Sequence, residues 1–116
     1  MTARVFISYS FEDEALYSAL SALMDRSDIA QHNISKLLSL GKPLAEQLRT
    51  QIDDCDVCVF LATRRSIKSL WCLAELGAFW GAGKRVIIYL ADSTLKQSDL
   101  PPQLASGRVR FVRASS

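Results

Sequence analysis

The stretch Ser66-Ile67-Lys68-Ser69-Leu70-Trp71-Cys72-Leu73-Ala74-Glu75-Leu76-Gly77-Ala78-Phe79-Trp80 decides how the rest of the chain is read. From Leu70 through Ala82 its one charge is Glu75, set in a run of apolar or small residues. Crossing a bilayer takes about 20 apolar residues, so this run reads instead as a helix buried on most sides. Ser69 is placed to cap its start, and Gly81-Ala82-Gly83 to end it, since glycine accepts the left-handed turn that closes helices. Trp71 and Glu75 lie four apart and share a face, with Cys72, Ala78 and Phe79 beside them. An ionised carboxylate taken out of water costs several kcal/mol unless something pairs with it. Glu75 therefore either stands at the surface, paired with Arg64, Arg65 or Lys68, or faces a cleft where a ligand or partner charge meets it.

On either side of this helix the chain reads as strand. Asp56-Val57-Cys58-Val59-Phe60-Leu61 is apolar on both faces, as central parallel strands are, and Arg85-Val86-Ile87-Ile88-Tyr89-Leu90 is another buried strand. Arg4-Val5-Phe6-Ile7-Ser8 is the first strand, Ile29 to Asn33 a short second, and Val109-Arg110-Phe111-Val112 alternates as an edge strand does. Ser10 with Asp13 resembles a capping box, Glu12, Asp13 and Glu14 complement a helix dipole, and Leu16, Leu20, Leu23 and Met24 form that helix's apolar stripe as far as Arg26. Pro43 suits the first position of a further helix striped by Leu44, Leu48 and Ile52. Residues 34–42 read as a loop carrying Leu37, Leu38 and Leu40; Thr63 to Lys68 is a polar loop, and Asp92 to Pro102 a loop with one helical turn.

Strands alternating with helices specify an α/β fold. Five strands with right-handed crossovers favour a flavodoxin-like three-layer sandwich, its parallel sheet in the order 2-1-3-4-5 between flanking helices. Ligands of such sheets bind beyond the carboxyl ends of the strands where the order switches, here between the first and third. Those ends are Ser8-Tyr9-Ser10-Phe11 and Ala62-Thr63-Arg64, and the second feeds the Trp71/Glu75 helix.

At 116 residues the chain is one domain, without internal repeat or low-complexity linker. A net charge of +2 and no basic run longer than Arg64-Arg65 argue against nucleic acid, and no apolar run argues for a membrane. An odd count of three cysteines suits a reducing cytoplasm. Cys55-x-x-Cys58 lacks the further ligands a zinc site needs, the lone histidine being the distant His32, so no metal is expected. Phosphate-cradling glycine loops are absent. The third strand ends Phe60-Leu61-Ala62-Thr63, without the aspartate of a phospho-accepting receiver, and a lone histidine argues against a hydrolytic triad. One carboxylate with one aromatic is too little for ordinary glycoside hydrolysis. It suffices for an N-glycosidic bond whose leaving group is already activated. Nicotinamide in NAD+ is a cationic pyridinium that departs neutral, so only the oxocarbenium-like ribose needs a nearby charge.

These residues resemble a Toll/interleukin-1 receptor homology (TIR) domain. Val5-Phe6-Ile7-Ser8-Tyr9-Ser10 with Glu12-Asp13 is similar to the family's first strand and loop, and Ile52-x-x-Cys55-Asp56-Val57 with Val59-x-Leu61 to its third strand. Ser69-x-Trp71-Cys72-x-x-Glu75-Leu76 is similar to its most telling motif. The resemblance implies a prokaryotic-type NAD+ nucleosidase with Glu75 catalytic, yielding nicotinamide and ADP-ribose or a cyclic product. NAD+ is then substrate and no cofactor is implied. Tyr9, Ser10, Phe11, Leu40, Ser69, Trp71 and Cys72 would line the substrate site, Leu40 from the loop whose Gly41 matches the family's usual glycine. The resemblance also implies self-assembly with other TIR domains in immune or cell-death signalling. The absence of a further helix before Ser116 implies a fragment of a longer protein with a sensing or oligomerising domain. The competing class is a non-catalytic TIR–TIR scaffold.

Overall fold

β1 (Arg4–Ser8), β2 (Ala30–His32), β3 (Val57–Ala62), β4 (Arg85–Leu90) and β5 (Val109–Arg113) pair in parallel, in the spatial order β2-β1-β3-β4-β5. The structure is a computed structural model that describes residues 4–26, 30–32, 49–50, 52–101, 104 and 109–113. Leu37, Leu38, Leu40, Gly41, Pro43, Leu44 and Leu48 lie outside the described residues, so the loop and helix start read there carry no structural account. Residues 49–50 and 52–54 are helical, and Ile52 packs against the core.

Successive side chains on a strand point to opposite faces, and this sorts the core in two. Val5, Ile7, Val59 and Leu61 face one helix, α1 (Glu14–Arg26), meeting its Tyr17 and Met24. Phe6, Cys58, Phe60, Ala62, Val86, Ile88 and Leu90 face the other, α2 (Leu70–Gly81), meeting Cys72, Leu76 and Phe79. The Phe6 and Phe79 rings sit 5.0 Å apart across that second layer. The parallel α/β architecture with flanking helices is thus the one the alternating pattern implies.

Both ends of α2 follow from its local sequence. Ser69 is the N-cap, its side chain accepting from the backbone N–H of Cys72 at 3.2 Å. At the other end Gly83, at φ 78°, permits paired closing bonds from Lys84 N–H to the Phe79 carbonyl (3.1 Å) and from Gly83 N–H to the Trp80 carbonyl (3.2 Å).

The start of α1 departs from expectation. Ser10 makes no side-chain cap bond; its carbonyl accepts from Asp13 N–H at 2.8 Å, and Phe11–Asp13 form a 3-10 turn before the helix opens at Glu14. The capping box is therefore not formed, because the Asp13 carboxylate is turned inward to partners on a distant loop. The apolar stripe also differs: Leu16 and Leu23 are exposed, and the buried side is Tyr17, Leu20 and Met24. Tyr17 displaces the leucines because the ring of Tyr9 stacks on it, 4.1 Å away and nearly coplanar. The polar loop after β3 includes a 3-10 turn, Ser66–Lys68, and the helical turn within residues 92–102 is Gln97–Asp99.

Candidate active site

The pleat of β1 explains how a polar contact arises inside the α2 layer. Ser8 shares the face of Phe6, and it stands at the carboxyl end of the strand beside Phe60 of β3. Across from it α2 presents Glu75, only 2% exposed, and the Ser8 hydroxyl donates to Glu75 Oε1 at 2.8 Å. The surface ion pair open to Glu75 is not what forms. Arg64 donates to Thr94 and pairs with Asp99, Arg65 pairs with Glu12 and Asp13, and Lys68 is exposed. Among the described residues Ser8 is the hydrogen-bond partner of Glu75.

Burial without a cation decides the protonation of this carboxyl. Desolvation pushes it from 4.5 up to about 8, against a smaller downward pull from the Ser8 hydrogen bond. Its surroundings are apolar and thiol. Burial pushes up Cys58 of β3 and Cys72 of α2, with the Glu75 charge adding to each, while hydrogen bonds from Ser69 and Ser8 pull Cys72 the other way. The three cysteines are free and buried. At neutral pH this burial favours the protonated form of Glu75. A cation arriving beside it would favour the ionised form, so the residue is poised to take up negative charge when a positively charged ligand is bound.

The expected site residues are distributed as follows. Ser69, Cys72 and Glu75 come together on the first turns of α2, and half-buried Trp71 packs against the same core. Tyr9 lies in the α1 layer, its hydroxyl donating to Glu14 at 3.0 Å; Phe11 meets it edge-on and is 66% exposed, with Ser10 half-buried between them. Leu40 lies outside the described residues. Ser8 joins this group through its bond to Glu75, which helical spacing could not reveal; the signal is a hydroxyl ending an apolar strand on the face shared with Phe6.

A second polar cluster sits at the same edge of the sheet. Asp13, 2% exposed, accepts from Thr63 Oγ1 at 2.5 Å and from Arg65 at 2.8 Å. A pocket of about 300 Å³ opens beside it, between Asp13 and Leu16, residues 63–65, and Ala91 and Asp92; Glu75 does not line it.

The sequence model of the TIR domain matches residues 5–115. The chain belongs to the TIR domain family. Its fold is similar to that of the TIR domain of the Toll-related receptor TRR-2 from the lower metazoan Hydra magnipapillata, at a TM-score of 0.74 and 20% identity over 95% of this chain and 84% of that one. It is also similar to the TIR domains of the activated Roq1 resistosome, which directly recognises the pathogen effector XopQ, at a TM-score of 0.64 and 20% identity over 86% and 65% of the two chains. A third similar structure is the CMP N-glycosidase BcmB of Clostridium botulinum, at a TM-score of 0.64 and 15% identity over 97% and 90%. No curated protein matches the chain. Among the described residues no helix is long and apolar enough to cross a membrane.

Proposed function

We propose that this domain is an NAD+ nucleosidase whose working carboxylate is Glu75. The observation that carries the reading is a buried glutamate, held by Ser8 at the carboxyl end of β1, with no cation against it among the described residues. The nicotinamide–ribose cation would supply the missing charge and favour the ionised carboxylate, the Glu75 proton being released to water. The bond from nicotinamide nitrogen to ribose C1′ then breaks, its electron pair leaving with neutral nicotinamide. The ionised carboxylate stabilises the ribosyl cation until water attacks C1′ and loses a proton, giving ADP-ribose; attack by a nucleophile within the product gives a cyclic one.

A second reading has its own observation. A carboxyl protonated near neutral pH can donate to a leaving base that is not already cationic. A pyrimidine nucleotide is the substrate this second reading proposes, the N-glycosidase of similar fold being one that acts on CMP. Assembly with other TIR domains belongs to the proposal, the leucines read in residues 34–42 being the surface for it, as do a cytoplasmic setting and a role in immune or cell-death signalling.

Incubating concentrated protein with NAD+ and, separately, with CMP, and resolving the products by chromatography, tests these readings together. Nicotinamide with ADP-ribose or a cyclic product is expected, at a specific activity that rises with protein concentration; Leu40→Asp should abolish that rise while leaving the chain folded. Cytosine release alone would favour the second reading. Turnover of neither substrate at any concentration would leave the scaffold class.

The motif tryptophan gives a separable result. Trp71 packs on the α2-side core, so Trp71→Phe removes buried area and is expected to lower stability by about 1 kcal/mol in urea unfolding. A rise in KM for NAD+ beyond that loss identifies the indole as part of the substrate site. Unchanged kinetics assign it to the core.

A further inference from the structure

We infer that Asp13 is a positioning residue for Glu75, tying the exit of β1 to the segment that launches α2. The inference rests on reading Glu75 as the working carboxylate. Ser8 and Asp13 lie five residues apart on one continuous piece of chain, and each makes a buried bond to the β3–α2 side of the molecule. Ser8 reaches Glu75 itself, and Asp13 accepts from the Thr63 hydroxyl at 2.5 Å and from Arg65 at 2.8 Å.

Thr63 passes that anchor on. Its Oγ1 accepts from Ser66 N–H at 3.0 Å, while its own N–H donates to Ser66 Oγ at 2.9 Å. Ser66 Oγ donates in turn to the Leu61 carbonyl at 2.7 Å, and Ser69 N–H donates to the Ser66 carbonyl at 3.1 Å. Ser69 is the cap of α2. An unbroken series of bonds thus runs from Asp13 through Thr63 and Ser66 to the first turn of the helix that carries Glu75. Asp13, Thr63 and Ser66 are buried, where a lost partner leaves a desolvated polar group behind. The two ties hold β1 and α2 closed over Glu75, and closure is what keeps water from the carboxyl.

The titration of Glu75 in the full chain, followed by carboxyl carbon-13 NMR, reports on this closure without depending on catalysis. The titratable groups facing Glu75 among the described residues are the Cys58 thiol from β3 and the Cys72 thiol from α2, both pushed up by burial, and β1 contributes only the hydroxyl of Ser8. Wild-type Glu75 should titrate near 8. Asp13→Ala and Thr63→Val should each lower the midpoint by at least about one pH unit as water reaches the carboxyl. Thr63→Ser, and Asp13→Asn, which keeps an acceptor for Thr63, should stay close to wild type. A folded Asp13→Ala with an unmoved midpoint would overturn the inference, as would an Asp13→Asn shift equal to that of Ala, which would assign the effect to charge acting through space. If Asp13→Ala fails to fold, Thr63→Val decides by the same readout. Absence of NAD+ turnover in the wild-type chain would tell against the nucleosidase reading while leaving the midpoint test of Asp13 in force.

Discussion

Glu75→Gln is expected to lower NAD+ turnover by at least about a hundredfold, the scale of losing one main electrostatic contact in a water-excluded site, while the chain remains folded. Glutamine has nearly the volume of glutamate and can still accept from the Ser8 hydroxyl through its carbonyl oxygen, so the packing of α2 against β1 has little reason to change. What the variant cannot supply is a negative charge beside the ribosyl cation. Initial rates at matched concentration, with a circular dichroism spectrum of each protein, make the comparison. Near-wild-type turnover by a folded Gln variant would remove Glu75 from the mechanism. The same variant bears on both substrates, because an amide is neither an ionised base nor a proton donor of useful strength. Both activities should fall, and a cytosine-releasing activity that survived would need another acid.

How far the sequence revealed this depends on whether the physics is local. Strands β1 and β4 could be read to their ends, because Arg4–Ser8 and Arg85–Leu90 are apolar runs bounded by polar or turn residues. The cap at Ser69 and the stop at Gly83 were legible for the same reason, each depending on bonds within one helix end. Asp13 was not. It has the spacing of a helix-start acid, and nothing within its own turn reveals that Thr63 and Arg65, fifty and fifty-two residues on, take up its carboxylate. Leu16 and Leu23 misled for a similar cause, since the choice of Tyr17 for the interior is made by a ring on β1's exit. Glu75 stood between these cases. Helical spacing put it beside Trp71 but could not say whether it met solvent arginines or the sheet, and that was settled by the pleat of a strand sixty-seven residues earlier.

The stability of the empty domain is expected to fall as pH rises from about 4.5 to about 8, and Glu75→Gln is expected to abolish that loss. The sign follows from where the proton sits. Burial raises the folded carboxyl to about 8 while the unfolded chain titrates near 4.5, so within that window the folded state holds a proton the unfolded state has released. Below the window both states are protonated and the contribution is fully present; above it the carboxylate is ionised in both, and the folded state bears the whole cost of its desolvation. At about 1.4 kcal/mol per unit, the full loss is on the order of 5 kcal/mol, a large share of the 5–15 kcal/mol typical of a domain. Urea unfolding of wild type and Glu75→Gln at pH 5, 6, 7, 8 and 9 isolates the effect, since groups that do not face Glu75 titrate alike in both and cancel in the difference. The variant should gain several kcal/mol on wild type between pH 5 and about pH 8 and level off above it. Parallel stability curves would show that Glu75 ionises in the fold as it does in the open chain, which a desolvated carboxyl cannot do. A gain for the variant would show that the fold carries a charge site it is more stable without, and that cost is what a cationic substrate would relieve on binding.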